Sequence, residues 1–546
     1  MTLTDELKKV VRGEVDDTPQ TLEKYSTDAS LFRVRPQVVV RPADAKDIQA
    51  LVHFVTEKKK AGEDISITPR AAGTDMSGGP LGASIILDVT AHLNHFLEQG
   101  SNYAIAEPGM YFRDFDAETK KKGLEMPGYP ASRNLAAIGG MVANNSGGEK
   151  NLKYGKTARY VQELEVVLAD GEVHTLKKME GKELEQKLTE PSFEGEVYRK
   201  VATLVSGNSE TIEKARPKVT KNSSGYALWD AGDGKTSLDL TRIIVGSQGA
   251  LGIITKIRFG LVHPQPYSSM VVMFLDDLAE LATIVPTVLE SAPDSFESYD
   301  DHTFSLAVKY FPEFAVQMKA GIISLGLSFL PEMWMLATGG IPKLVLMIEF
   351  RADAQAEAVK KAEALANSLR ATKASVRIMK DEKASRKYWV IRRESFNLLR
   401  KKVRGMRTAP FIDDFVVPPL SLAEFLPKLT EILSHYSITY TIAGHVGDGN
   451  FHIIPLIDPK RPDARQIISE LSKKVYDLVI SYNGSISGEH NDGLVRTPYV
   501  AQMFGSEMMK LFEQVEDIFD PNHIFNPGKK VGTTLAQSAA DLDLPK

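Results

Sequence analysis

Pro69-Arg70-Ala71-Ala72-Gly73-Thr74-Asp75-Met76-Ser77-Gly78-Gly79 separates two short β-branched runs, Ile65-Ser66-Ile67-Thr68 and Ser84-Ile85-Ile86-Leu87-Asp88. Both runs read as strands, and the glycines and small polar residues between them read as a loop. Upstream, Val38-Val39-Val40 is a third strand-like run. Between it and the loop, residues 43–60 place Ile48, Leu51, Val52 and Val55 at helical spacing. Asp44 and Asp47 stand near the start of that helix, where negative charge suits the helix dipole. The order strand, helix, strand argues for an α+β or α/β domain.

The loop at 69–79 can turn several backbone N–H groups toward one point, forming a nest for phosphate oxygens. Thr74 and Ser77 add hydroxyl donors. The loop has neither the GxGxxG spacing of a dinucleotide fold nor the lysine of a P-loop. Taken alone, such a stretch is more often only a turn. Two further stretches shift that balance: Ile138-Gly139-Gly140-Met141-Val142-Ala143-Asn144-Asn145-Ser146-Gly147-Gly148 and Val245-Gly246-Ser247-Gln248-Gly249-Ala250-Leu251-Gly252-Ile253-Ile254. Three such loops in one domain suit a long, flat ligand that carries a pyrophosphate.

Around the loops, residues 1–30 read as a short helical lead-in, and strands are expected at 163–168, 243–245 and 252–259. Val262-His263-Pro264-Gln265-Pro266 reads as an inter-domain connection. Beyond it, strands at 269–275 and 343–350 and helices at 278–291 and 354–369 predict a second α+β domain. Residues 505–519 read as a closing helix. From about residue 533 the chain is polar and alanine-rich, and a frayed tail is expected.

Length and composition bound the function. At 546 residues the chain exceeds one core, and two or three domains are expected. Hydrophobic and charged fractions of 43% and 25% are those of a globular protein. A net charge of −5 implies no broad basic surface for nucleic acid. The cysteine count is 0, which excludes disulfides, thiolate metal sites, cysteinyl-linked cofactors and iron–sulfur clusters held by this chain. That fits a reducing cytoplasm. Residues 1–20 are charged and do not read as a secretory signal. No apolar run reaches the ~20 residues that span a bilayer. The nearest, 321–340, is broken by Pro331 and Glu332; it reads as a buried hairpin, with docking to a membrane periphery or a partner as the alternative.

The reacting groups stand elsewhere. Residues 444–452 read Gly-His-Val-Gly-Asp-Gly-Asn-Phe-His, and Ser487-Gly488-Glu489-His490 follows. Glycines let a backbone pass close to a ligand, and the polar groups between them are costly to bury without a partner. His445, His452 and Glu489 offer two nitrogens and one oxygen, a set suited to zinc or manganese. Two histidines seven apart are also compatible with hydrogen-bonded structural histidines.

On the landmarks 70–79, 139–148, 246–254, 444–452, Glu489-His490 and 520–529, the chain resembles the FAD-linked oxidases and dehydrogenases of the vanillyl-alcohol oxidase type, with a PCMH-type FAD-binding domain. Within them it is most similar to the branch of D-lactate, glycolate and D-2-hydroxyglutarate dehydrogenases. The resemblance covers nearly everything from Arg33 to Lys530. It implies an α+β fold: an FAD-binding domain of two α+β subdomains over 31–266, and an α+β cap with an antiparallel sheet over 267–504. A segment at 505–533 would return to the FAD domain, and 534–546 would form a tail.

For FAD the resemblance implies contacts from Pro69, Arg70, Ala71, Gly73, Thr74, Asp75, Ser77 and Gly78 in the first loop. Ser132, Ile138, Gly139, Gly140, Ala143, Asn144, Gly147 and Gly148 follow, then Gly249, Gly252, Ile253, Ile254, Glu489 and Asn526. No histidine lies in the first loop, so non-covalent FAD is expected. With the family match, His445, His452 and Glu489 favour a divalent metal, Zn or Mn, which would lower the pKa of a substrate hydroxyl. His490, neutral near pH 7, is the candidate base. Asn450 would orient substrate, Asp448 would brace a histidine N–H, and Arg392 would clamp a carboxylate; for Arg393 a surface ion pair is the readier reading.

The function implied is an FAD-dependent oxidoreductase that oxidises a small D-2-hydroxy acid, D-lactate-like, to the 2-keto acid. Electrons would pass to a separate acceptor: a quinone, a cytochrome, an electron-transfer flavoprotein or an iron–sulfur protein. Neither nucleic acid nor a transmembrane segment enters this reading, and a homodimer is compatible with it. Relatives acting on dicarboxylates carry a lysine just before an aspartate where this chain has Ile412-Asp413; Lys402, Arg404 and Arg407 are the nearby cations. Two alternatives remain: a non-redox flavoenzyme like alkyldihydroxyacetonephosphate synthase, and a non-catalytic flavin-binding subunit of an electron-transfer complex.

Overall fold

The computed structural model describes residues 2–309, 340–402 and 405–544. In the helices that close the first two stretches, side chains are described as far as residues 305 and 393. The stretch 321–339, Arg404 and the Lys402 side chain lie outside the described residues.

The glycine loop at 69–79 leaves a parallel sheet. Val38–Arg41, Ile85–Asp88 and Ile67–Arg70 run parallel in that order, and Glu14–Asp16 adds an antiparallel edge beside Val38–Arg41. The lead-in is therefore part of the sheet as well as two short helices. Helix Ala45–Lys60 buries Ile48, Leu51, Val52 and Val55 against this sheet. Its start is fixed by Asp44, whose carboxylate accepts from the amides of Lys46 and Asp47.

A second, antiparallel sheet follows in the order Phe96–Gln99, Tyr103–Ala106, Ile253–Gly260, Val161–Val167, Val173–Glu180, Ser237–Asp239. The strand expected at 243–245 is instead the end of a helical turn, Thr241–Ile244. Asp239 accepts from the Thr241 amide and hydroxyl, which starts the turn. Ile243 and Ile244 point into the core either way, so their β-branched character misled. The second glycine stretch is likewise a short helix, Ile138–Asn144, ended by Asn145 at φ 51°.

The cap is a seven-stranded antiparallel sheet, ordered Ser375–Met379, Tyr267–Leu275, Leu344–Ala352, Ser295–Asp300, Ile442–His445, Asn450–Ile453, Phe415–Val416. Alternate residues serve opposite faces. Val271, Met273, Leu346 and Ile348 pack with helices Leu281–Glu290 and Gln355–Ser368. Met270, Val272, Val345 and Met347 pack under Tyr388 and Trp389 of helix Glu382–Lys402.

The closing helix starts earlier than expected, at Gly493, and breaks at Gly505, whose φ of 79° and ψ of 167° are not helical. Past it the Asn526 amide donates to Ile67 O at 2.8 Å, back on the first sheet. The tail is held down through residue 544 rather than frayed. Leu535–Ala540 is a helix with a Thr534–Gln537 capping box, and Leu542 is buried beside Leu31 and Phe32. Asp543 is held by Arg33 and Arg407, and Arg465 donates to the Leu542 and Leu544 carbonyls. Those arginines stand far away in sequence, so the tail's own composition did not show them.

Candidate active site

Between the FAD-loop unit and the cap runs a cavity of about 1340 Å³. This exceeds the roughly 300–1000 Å³ of an ordinary ligand pocket, so it has room for a dinucleotide and a second small molecule.

One wall is built by the glycine loops. Asp75 folds the first loop on itself: one carboxylate oxygen accepts from Ser77 N, Ser77 Oγ and Gly79 N, and the other from Asn144 Nδ2 at 2.6 Å. Gly249 sits at φ 74°, and a Cβ there would stand 2.4 Å from Pro69 Cγ, so only glycine lets the third loop close on the first. Among the described residues the amides of Ala72, Gly73 and Thr74 have no acceptor. Free amides on a glycine loop beside a large cavity fit the pyrophosphate of FAD.

Pro69, Arg70, Ala71, Gly73, Thr74, Asp75, Ser132, Gly139, Gly140, Ala143, Asn144, Gly249, Gly252, Ile253, Ile254 and Glu489 reach the cavity. Ser77, Gly78, Ile138, Gly147, Gly148 and Asn526 stand behind that wall. Ser77 and Ile138 are fully buried. Gly78 packs on Phe32 and Leu494, Gly147 on Asn151 and Glu489, and Gly148 on the Tyr129 carbonyl. Asn526 donates to the carbonyls of Gly79 and Gln248 and so pins the first loop to the third.

The opposite wall carries the histidines. His445 ends a strand and His452 lies on the next one, across a turn through Val446–Asp448. Gly449 makes that turn possible: its φ is 69°, and a Cβ would fall 1.8 Å from Val417 O. Antiparallel pairing sets the two rings 5.2 Å apart. Ligand atoms of His445, His452 and Glu489 all lie within 4.8 Å of one another. His452 donates Nδ1–H to the Asp413 carbonyl at 2.9 Å, which leaves Nε2 with a lone pair. Burial holds its pKa down to about 4, over the opposing pull of Glu489. A neutral imidazole beside an ionised carboxylate fits a divalent metal.

Arg392 reaches the same cavity from helix Glu382–Lys402. Its Nη2 lies 2.5 Å from Oε2 of buried Glu297, while its Nε has no hydrogen-bond partner among the described residues. Arg393 pairs with Glu149 at 2.6 Å.

Three expectations change. Asn450 is fully buried and does not line the cavity: its amide donates to Asp414 and to Phe415 O, and its oxygen accepts from Lys221. Asp448 braces no histidine; it accepts from Asn151 and Thr220 and lies 3.4 Å from Lys221. The chain's own charges disfavour the neutral His490 expected near pH 7. Burial opposes its charge, but Asp413, 2.7 Å from Nδ1, and Asp414 push the pKa up to about 9.

Sequence reasoning missed the groups that hold the segment 487–492. Lys156 donates to Gly488 O, Lys221 pairs with Glu489 at 2.5 Å, and Lys530 pairs with Asp492 at 2.6 Å. All three ammonium groups are buried. A lysine carries no local signal for burial, and each partner lies far along the chain.

Residues 36–177 match the family described as FAD binding domain, and residues 264–530 match FAD linked oxidases, C-terminal domain. The D-2-hydroxyglutarate dehydrogenase of Pseudomonas putida is 28% identical over 95% of this chain and 50% of its own length. This chain thus spans about half the length of such relatives. The D-lactate dehydrogenase of Archaeoglobus fulgidus is 28% identical over 97% of this chain and 99% of its own. Among solved structures, p-cresol methylhydroxylase with substrate bound superposes with a TM-score of 0.69 at 16% identity, covering 98% of this chain and 96% of that one, which shows the shared fold. With an FAD binding domain at one end of the cavity and the oxidase C-terminal domain over the other, the chain belongs to the FAD-linked oxidases and dehydrogenases.

Proposed function

We propose that this chain is an FAD-dependent dehydrogenase that oxidises a small D-2-hydroxy acid to the 2-keto acid. One observation carries the reading. A divalent-ligand set, a third histidine with a carboxylate behind it, and an arginine with unused donors converge on the cavity that the FAD loops line.

FAD, when bound, supplies the hydride acceptor. His445, His452 and Glu489 would hold a divalent ion, which would supply a Lewis acid for the hydroxyl and a positive charge that disfavours a second one on the adjoining His490 ring. The chain's own groups do the rest. Arg392 takes the substrate carboxylate through the donors that Glu297 leaves free. His490 donates Nδ1–H to Asp413, which points Nε2 at the cavity as acceptor of the hydroxyl proton. The substrate loses that proton and, from its α-carbon, a hydride; the carbonyl of the keto acid forms as they leave.

Ile412, at the position of the dicarboxylate-reading lysine, is packed in the core, and Arg407 is engaged with Asp543. Among the described residues this favours a monocarboxylate such as D-lactate. With 0 cysteines in this sequence, an iron–sulfur centre would lie outside it, and a quinone or a redox protein is the acceptor we propose. The test is anaerobic mixing of the FAD-loaded protein with D-lactate, glycolate and D-2-hydroxyglutarate. At least one bleaches the flavin band near ~450 nm, D-lactate before D-2-hydroxyglutarate. Reduction by dithionite but by none of the acids overturns the reading.

A further inference from the structure

We propose that Glu297 is a positioning residue that aims the metal-facing nitrogen of His445 and the guanidinium of Arg392 together. The inference rests on the function read above and concerns a residue to which that reading gives no role.

Glu297 lies on strand Ser295–Asp300, opposite Met347. Its side chain is 2% exposed and shared between two partners. Oε1 lies 2.7 Å from Nδ1 of His445 and Oε2 lies 2.5 Å from Nη2 of Arg392. A carboxylate only accepts, so Nδ1 of His445 carries the proton that faces it. That fixes Nε2, 3.2 Å from Glu489 Oε1, as the nitrogen turned to the ligand group. An outer carboxylate of this kind sets both the tautomer and the ring angle of a metal-ligating histidine.

The same carboxylate restrains Arg392. Among the described residues no other acid lies within ion-pair distance of that guanidinium. Nη2 sits against Oε2 as an ion pair without a hydrogen bond and lies 3.4 Å from Nδ1 of His445, while buried Nε has no partner among the described residues. A planar guanidinium held at one corner presents its remaining donors in a fixed plane. One carboxylate therefore sets the angle at which hydroxyl and carboxylate ends of one substrate are read.

Glu297→Gln tests this. The amide keeps the shape, but its NH₂ must face either Arg392 or the Nδ1–H of His445, and neither accepts from it. In the FAD-loaded protein, the readouts are Zn²⁺ or Mn²⁺ affinity by chelator competition, FAD per chain, and KM and kcat for the acid that reduces the flavin. FAD per chain stays at the wild-type value, metal affinity falls roughly 10–100-fold, and KM rises by a larger factor than kcat falls. Glu297→Gln/Arg392→Met removes both buried charges and serves if the single variant does not fold; its metal affinity stays low while its FAD content is normal. Wild-type metal affinity in folded Glu297→Gln or in the double variant overturns the inference, as does FAD lost in step with metal. A wild-type protein holding no divalent ion at His445, His452 and Glu489 overturns this inference and the metal reading together, which separates the two failures.

Discussion

His452 shows how much one side chain's surroundings decide. The backbone carbonyl of Asp413 takes its Nδ1–H, the His490 ring stacks on it at 5.1 Å, and burial keeps it uncharged. A neutral ring with its free nitrogen aimed at Glu489 and His445 has the properties of a ligand. His452→Ala is therefore expected to lower metal affinity by more than the ~10–100-fold of an outer partner, with FAD content unchanged; metal analysis beside the flavin spectrum checks both. An unchanged metal content would remove His452 from the ligand set. His445, His452, Glu489 and His490 were legible in the sequence because ionisable residues between glycines are poor core material. Glu297 was not, because an acid in the polar-rich strand Ser295–Asp300 reads as a solvent-facing position. Lys221 was not either, since its partner Glu489 lies 268 residues away.

Strand Val173–Glu180 and helix Phe193–Gly207 are tied by one histidine. His174 Nε2 lies 2.9 Å from Asp170 in the preceding turn, and its Nδ1 lies 3.4 Å from Glu194 in the first turn of the helix. Burial works against the charged ring, but the two carboxylates outweigh it and raise the pKa to about 9 from the ordinary 6.5. A raised folded-state pKa means that the stabilisation is complete below pH 6.5 and fades as pH climbs through 9. It amounts to about 3 kcal/mol at most, from the size of the shift. His174→Gln should accordingly lower the denaturant midpoint at pH 6 and leave it nearly unchanged at pH 10; equal losses at both would show packing, not charge, at work. Elements were legible where periodicity and burial agree, as in Ala45–Lys60 and Leu344–Ala352. They were not where a local hydrogen bond decides. Asp239 starts a helical turn under β-branched residues, and the carbonyls of Met110 and Pro108 accept from the first amides of the glycine-rich helix Ile138–Asn144.

The two units meet around residues 488–492, which carry Glu489 and His490 and are clamped from behind by lysines of the FAD-loop unit and the returning segment. Lys530 is the most demanding of these. It is 0% exposed, as is Asp492, which also accepts from Ser224 Oγ and the Gly225 amide. Lys530 further donates to Ser223 O and Asn491 Oδ1. Removing one member of a buried pair leaves the other charged and unpaired, at about 3–5 kcal/mol. The Ser224 and Gly225 donors that stay with Asp492 place Lys530→Met toward the lower end. An exposed pair such as Lys473–Asp477 is worth about 0.3–0.5 kcal/mol, so Lys473→Met is the matched control. If the lysine acts as the tie between units, Lys530→Met lowers the denaturant midpoint far more than Lys473→Met and releases FAD during the same transition, because the cavity opens when 488–492 lets go. Adding Asp492→Asn to Lys530→Met recovers part of the loss, since the stranded charge is gone. A double variant as unstable as the single one would mean that the lysine's carbonyl contacts, and not its charge, join the cap to the flavin unit.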